Sequence, residues 1–167
     1  MGNRLYEHWD CSPAVCIAAI AWAGLALQCV VVYQENLSVL LTLWILFAFF
    51  TITTNLLVAV VFTGIAANRT VFRSAWVVAG TMLSILLVGV IYALLLHGLT
   101  ELSGGSVVAN VLVHMVTPVV VPLFWIFFVD KGGLTWRHPL LWAIYPLAYL
   151  AYGLTRGAAT GKYPYRL

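Results

Sequence analysis

A polar cluster interrupts one of the most apolar stretches of this chain. The run 38–66 is almost entirely hydrophobic, yet its centre carries Thr51, Thr53, Thr54 and Asn55. Water is scarce in the hydrocarbon core of a membrane, so hydroxyl and amide groups there need partners on neighbouring helices or on a substrate. The cluster is therefore either a chemical site or a set of interhelical hydrogen bonds.

A second polar group with the same setting is His114, which lies in the apolar stretch 107–129. A threonine hydroxyl is a poor nucleophile until a base removes its proton, and neutral imidazole is the usual base. Thr51 and His114 are thus a minimal pair for nucleophilic catalysis. In this hypothesis Thr51 is the nucleophile and His114 is the general base.

The other candidate side chains lie on the same segments or at the end of the last one, and we predict that they bind the substrate: Thr54, Asn55, Asn110, Tyr152 and Arg156. Asn110 precedes His114 by one turn, which suits a residue that orients the base. Thr54 or Asn55 can donate to a developing oxyanion. Arg156 can hold an anionic head group while the acyl chains stay in lipid.

Non-catalytic explanations of the same residues remain open. Threonine and asparagine in membrane helices often serve only as hydrogen-bond partners between helices. One alternative is a membrane protein that binds or transports a small lipid or solute, and another is a scaffold in which Thr51 only packs helices. The aromatic residues near the chain end predict an interfacial belt: Trp136, Trp142, Tyr145, Tyr149 and Tyr152.

The composition indicates an integral membrane protein. Of 167 residues, 63% are hydrophobic and 8% are charged, whereas soluble domains carry about 25% charged residues. This length predicts a single domain, 1–167. No basic run with interleaved aromatic residues suggests nucleic acid, and no motif suggests a metal or another cofactor. The sequence leaves the oligomeric state undetermined.

The elements that must position these residues are predicted to be helices. The fold class is all-α, a polytopic transmembrane helical bundle, with five spans that are long and apolar enough to cross a bilayer: 14–33, 38–66, 75–97, 107–129 and 138–154. The second segment exceeds the required length, so it is expected to tilt or to extend past the membrane. If it is straight, Thr51 lies about 20 Å beyond Ser38 along the helix axis.

The loop charges predict the orientation. With a cytoplasmic N-terminus, one side holds these basic residues: Arg4, Arg69, Arg73, Lys131 and Arg137. The opposite loops carry Glu35 and Glu101 and no lysine or arginine. Because cytoplasmic loops are enriched in basic residues, we expect a multi-pass protein of the cell membrane with its N-terminus in the cytoplasm.

Several stretches together resemble a known family. They are 50–57, which contains Thr51-Ile52-Thr53-Thr54-Asn55, then His114 with Pro118, then 131–136, 142–157 and 161–165. Over nearly the whole chain they resemble the bacterial branch of the androgen-induced/FAR-17a-like integral membrane proteins. Animal members of that family hydrolyse fatty-acid esters of hydroxy fatty acids with an intramembrane threonine and histidine.

By this resemblance the two catalytic roles fall on Thr51 and His114. It implies an intramembrane hydrolase of lipid esters, with a membrane lipid as the substrate. It also implies a sixth span, which this sequence does not contain. An acyl–threonine intermediate is expected.

Overall fold

The chain is all-helical wherever the structure describes it, so the predicted all-α class is confirmed. The structure is a computed structural model, and it describes residues 11–98, 102–161 and 163. The predictions that involve Arg4, Glu101, Pro164 and Tyr165 concern positions outside the described residues.

Seven α-helices account for most of the described chain, and two of them are continued by short π-helical turns. The helices are α1 (Cys11–Asn36), α2 (Val39–Leu46), α3 (Phe50–Ala66), α4 (Ala75–Ile91), α5 (Gly105–Val111), α6 (Thr117–Phe128) and α7 (His138–Thr160). A π turn at Tyr92–Leu96 extends α4, and another at Leu112–Val116 joins α5 to α6. A 3₁₀ turn, Thr70–Arg73, precedes α4.

Three helical stretches are long and apolar enough to cross a membrane: Ser12–Asn36, Ala75–Leu96 and Gly105–Phe128. The pair formed by α2 and α3, whose axes meet at 95°, is a fourth candidate only if the two helices are taken as one broken span. The described residues thus contain three to four candidate spans, and the predicted count of five is not confirmed. Helix α7 is long enough but falls outside this set, because tyrosines, Thr155 and Arg156 interrupt its apolar run.

The break between α2 and α3 is the main departure from the sequence-based expectation. Phe49 adopts an extended conformation there, and α3 starts at the next residue. Helix α7 satisfies two carbonyl groups beside the break, because Tyr149 Oη donates to the Ala48 carbonyl and Arg156 donates to that of Trp44. Thr51 is therefore the second residue of a new helix, and the depth predicted for it along a straight helix is wrong.

Helix α1 packs closely against α3 and against the chain that carries His114. Its buried face includes four small residues, which let helix backbones approach one another: Ala14, Ala18, Ala21 and Gly24. A Cβ atom added at Gly24 would lie 2.9 Å from Val113 Cγ1 and 3.2 Å from Leu112 Cβ. Gly24 thus provides the space in which the π turn around His114 fits.

Replacing Gly24 with valine is expected to destabilise the bundle, because the added side chain overlaps the π turn. Overpacking of this kind costs about 1–3 kcal/mol, and thermal unfolding in detergent measures it. The control is Gly105→Ala, whose new Cβ meets only Val31 Cγ2 at an ordinary 3.8 Å. An unfolding midpoint for Gly24→Val equal to that of Gly105→Ala would contradict the packing described here.

Candidate functional site

The fold brings the two predicted catalytic residues into contact. Thr51 Oγ1 lies 3.2 Å from His114 Nε2, although the two residues are far apart in sequence. Thr51 is buried, with 5% of its surface exposed. When Nδ1 carries the ring proton, Nε2 is the acceptor and the threonine hydroxyl is the donor. The geometry then matches that of a nucleophile and its base before reaction.

His114 reaches Thr51 from a π-helical turn, and the sequence explains why the helix is irregular there. Pro118 has no N–H group to donate to a carbonyl in the preceding turn. The Thr117 N–H group reaches back five residues to the Leu112 carbonyl, and the Val113 carbonyl accepts a hydrogen bond from the Asn55 side chain at 3.0 Å. Side chains can satisfy freed carbonyl groups in this way within a membrane helix. Such π turns occur frequently at functional sites.

Asn55 connects α3 to this turn. Its amide nitrogen donates to the Thr51 carbonyl at 2.9 Å and to the Val113 carbonyl at 3.0 Å. Its oxygen accepts a hydrogen bond from Thr117 Oγ1 at 2.8 Å. Asn55 is completely buried. It thereby fixes the register between the helix that carries Thr51 and the turn that carries His114.

The sequence predicts that Thr54 and Asn55 bind the substrate, but the structure places neither side chain where a substrate could reach it. Both side chains are fully buried. Both amide hydrogens of Asn55 are already used in hydrogen bonds, and Thr54 Oγ1 lies 3.2 Å from Tyr145 Oη. They form the structural support behind Thr51. They cannot contact a substrate without a rearrangement of these bonds.

Asn110 is connected to His114 through a third residue, Tyr92. Its amide nitrogen donates to Tyr92 Oη at 2.6 Å. The Tyr92 ring stacks on the His114 ring, with centroids 4.5 Å apart and an angle of 28° between the planes. Asn110, which the sequence predicts to orient His114, is therefore linked to it through Tyr92.

An apolar cavity of about 440 Å³ lies beside Thr51. Its walls come from the first turn of α3 with Phe50 and Thr51, from the second half of α4 with its π turn, and from positions 146–154 of α7. Tyr149 and Tyr163 carry its other hydroxyl groups. The volume falls in the range of small-molecule pockets, about 300–1,000 Å³. His114 contacts Thr51 but is not part of the wall.

Tyr152 and Arg156, the predicted contacts to a head group, lie outside the cavity wall. Arg156 Nη1 donates to Tyr152 Oη at 2.7 Å, and Nη2 donates to the Trp44 carbonyl. The guanidinium group also stacks on the Trp44 ring, 4.1 Å from its centroid. These contacts hold a cation beside α2, one turn beyond Gly153 of the cavity wall.

Three tyrosines contribute to the site although no sequence pattern marks them as part of it. Tyr92 stacks on His114, Tyr145 Oη donates to Thr53 Oγ1 at 3.1 Å, and Tyr149 binds the Ala48 carbonyl. Tyr145 and Tyr149 are one turn apart on α7 and share a face. That spacing could have indicated an inward face, whereas their aromatic neighbours suggested an interfacial belt.

Within residues 11–98, 102–161 and 163, no group of three or more His, Cys, Asp or Glu side chains could hold a metal ion. No protein-family model, no curated protein and no solved structure matches this chain. The described part of the chain is all-helical, its apolar helices are long enough to span a membrane, and a threonine–histidine pair lies beside an apolar cavity. The resemblance to the androgen-induced/FAR-17a-like proteins stays a prediction.

Proposed function

We propose that this chain is an intramembrane hydrolase of lipid esters and a member of the androgen-induced/FAR-17a-like family. The observation that carries the proposal is the 3.2 Å contact between Thr51 Oγ1 and His114 Nε2 beside an apolar cavity. If the hydrogen bond between Thr51 and His114 only joined two helices, no cavity would be needed beside it. A lipid hydrolase needs both the activated hydroxyl and the space for a hydrocarbon chain.

In the proposed reaction His114 Nε2 takes the hydroxyl proton while Thr51 Oγ1 bonds to the ester carbonyl carbon. The tetrahedral intermediate collapses when the bond from this carbon to the alcohol oxygen breaks, and the alcohol leaves with the proton from His114. This leaves an acyl–threonine ester. Water then loses a proton to His114 and attacks the acyl carbon, and Thr51 Oγ1 departs and recovers that proton, which releases the fatty acid.

The first turn of α3 supplies backbone N–H groups for the oxyanion of the proposed mechanism. The N–H groups of Ile52 and Thr53 bond back to the Phe49 carbonyl, and no side chain caps the helix. The N–H groups of Phe50 and Thr51 have no carbonyl inside the helix to bond. Both residues line the cavity, so their backbone donors suit the role that the sequence suggested for Thr54 and Asn55.

Filling the cavity is expected to block long-chain probes selectively. Gly153 lines the cavity, and a Cβ atom added there meets only Tyr149 Cε1, at 4.0 Å. Gly153→Leu therefore enters open space, and labelling of Thr51 by a long-chain alkyl fluorophosphonate should fall about tenfold, given about 0.8 kcal/mol per CH₂ excluded from burial. A methyl fluorophosphonate should label this variant as it labels the wild type.

The matched control for this prediction is Ala151→Leu, which adds a similar side chain at an exposed position of the same helix. It should leave labelling by both probes unchanged. An equal loss with the short and the long probe would mean that the cavity does not hold the alkyl chain.

Arg156 is proposed to attract the anionic head group of a lipid from its place between α2 and α7. Its contacts with Tyr152 and the Trp44 carbonyl use two donors, and a guanidinium group has further N–H donors. Because it does not line the cavity, its role in this proposal is recruitment rather than chemistry.

The finer topology belongs to the same proposal. We infer that α7 is a fifth crossing and that the protein lies in the cell membrane with a cytoplasmic N-terminus. Arg69 and Arg73 precede α4, while Lys131 and Arg137 precede α7, so both loops fall on the cytoplasmic side. The contacts of α7 with α4 support a crossing within the bundle rather than beside it.

The test is fluorophosphonate labelling of the detergent-purified chain, followed by peptide mass mapping. The probe should modify Thr51, with loss of fluoride, and Thr51→Ala should abolish the labelling. Thr63→Ala is the matched control, because Thr63 lies near the other end of the same helix and donates to the Ala59 carbonyl. A folded wild-type protein without labelling at Thr51 would overturn the hydrolase proposal and favour a protein that binds or transports a lipid or solute.

A further inference from the structure

We infer that Tyr92 is a positioning residue of this site, and that its ring takes the place of the acceptor that usually orients a catalytic histidine. This inference rests on the proposed function, because it concerns how His114 is held while it acts on Thr51. The observations that carry it are the stacked rings of Tyr92 and His114, the hydrogen bond from Asn110 to Tyr92, and the unpaired nitrogen of His114.

Catalytic histidines are commonly oriented by an acceptor at the ring nitrogen that faces away from the nucleophile. In this site that nitrogen is Nδ1, since Nε2 faces Thr51. Nδ1 is buried and makes no hydrogen bond. The backbone carbonyl of Asn110 lies near the ring, but its position does not satisfy hydrogen-bond geometry. Another contact must therefore fix the plane of the ring.

The Tyr92 ring supplies that contact. Its centroid lies 4.5 Å from that of His114 and the planes are nearly parallel, so rotation of the imidazole about its bond to the chain would disrupt the stack. The same face also favours the reaction, because His114 becomes a cation when it takes the proton from Thr51. A cation stacked on an aromatic face is stabilised by the electrons of the ring.

The ring of Tyr92 is itself held at two places. Asn110 donates to its hydroxyl oxygen at 2.6 Å, and the His97 ring packs edge-on against it with centroids 5.7 Å apart. Asn110 and His114 lie on consecutive turns of one helix, while Tyr92 comes from the π turn after α4. The hydrogen bond thus ties two helices together at the position that sets the orientation of His114.

The experiment measures the kinetics of Thr51 labelling by an alkyl fluorophosphonate in the detergent-purified full chain, with kinact and KI determined separately. Tyr92→Leu should lower kinact about tenfold, since stacking on the cation is lost, and should leave KI unchanged. Tyr92→Phe keeps the ring and loses only the hydrogen bond from Asn110, so kinact should fall about threefold rather than tenfold. The control is Phe128→Leu, which removes a stacked ring near the far end of α6.

A double-mutant cycle tests the link to Asn110 even if Tyr92→Leu fails to fold. Tyr92→Phe and Asn110→Leu remove the two ends of one hydrogen bond, so each should lower kinact about threefold, and the double variant should lose no more than either alone. Additive losses, or wild-type kinact in Tyr92→Leu, would overturn the inference and leave the proposed function standing. Absence of labelling at Thr51 in the wild type would overturn the proposed function and this inference with it.

Discussion

Replacing His114 with alanine is expected to slow fluorophosphonate labelling of Thr51 by about 10²–10⁴-fold. A threonine hydroxyl with no base reacts little faster than an ordinary alcohol, and His114 Nε2, the proposed base, lies in contact with Thr51 Oγ1. The loss should appear in kinact rather than in KI, because His114 does not line the cavity that receives the probe.

The control for this prediction is His138→Ala. His138 begins α7, and its Nδ1 accepts a hydrogen bond from the Thr135 N–H group. It has no contact with Thr51, so this variant should be labelled at the wild-type rate. If His114→Ala unfolded at the wild-type temperature and were labelled at the wild-type rate, His114 would not be the general base.

Replacing Asn55 with leucine is expected to have the largest effect on stability. The change deletes hydrogen bonds to the Thr51 carbonyl, the Val113 carbonyl and Thr117 Oγ1 in a fully buried position. Each bond of this type contributes about 0.6 kcal/mol on average in a membrane protein, with values up to 1.7. The free energy of unfolding should therefore fall by about 2–3 kcal/mol, which thermal or denaturant unfolding in detergent can measure.

The same substitution should also slow labelling of Thr51, because Asn55 fixes α3 relative to the turn that carries His114. A matched control is Thr155→Val, which removes a hydroxyl that bonds only carbonyls of its own helix, those of Ala151 and Tyr152. If Asn55→Leu were as stable as Thr155→Val, the register between Thr51 and His114 would have to depend on other contacts.

The proposed catalytic pair is the part of the site that could be predicted from residue types. Hydroxyl and imidazole groups are costly in an apolar helix, so the sequence alone marks Thr51 and His114 as candidates for a functional site. Their contact could not be predicted, because a helix that is apolar all round does not reveal which face turns inward. The structure supplies that rotation through Asn55, Thr117 and the π turn that Pro118 accompanies.

The aromatic partner of the site could not be found in the same way. Tyr92 and Asn110 are separated in sequence by the segment that links α4 to α5, and no local pattern indicates that their side chains meet. Tyrosines near the ends of membrane helices usually lie at the interface. Tyr92 instead stacks on His114 because two irregular turns, one after α4 and one before α6, lie side by side.

The sequence by itself determined that the chain forms apolar helices of membrane-spanning length and which of its residues can do chemistry, because composition and residue types are properties of the chain alone. Only the tertiary structure decided the break before α3. The run 38–66 contains no proline, and its one glycine lies far from the break. Two carbonyl groups beside the break, those of Ala48 and Trp44, accept hydrogen bonds from Tyr149 and Arg156 on α7. A partner so distant in sequence leaves no local signal, yet it places Thr51 in the first turn of a helix beside the cavity.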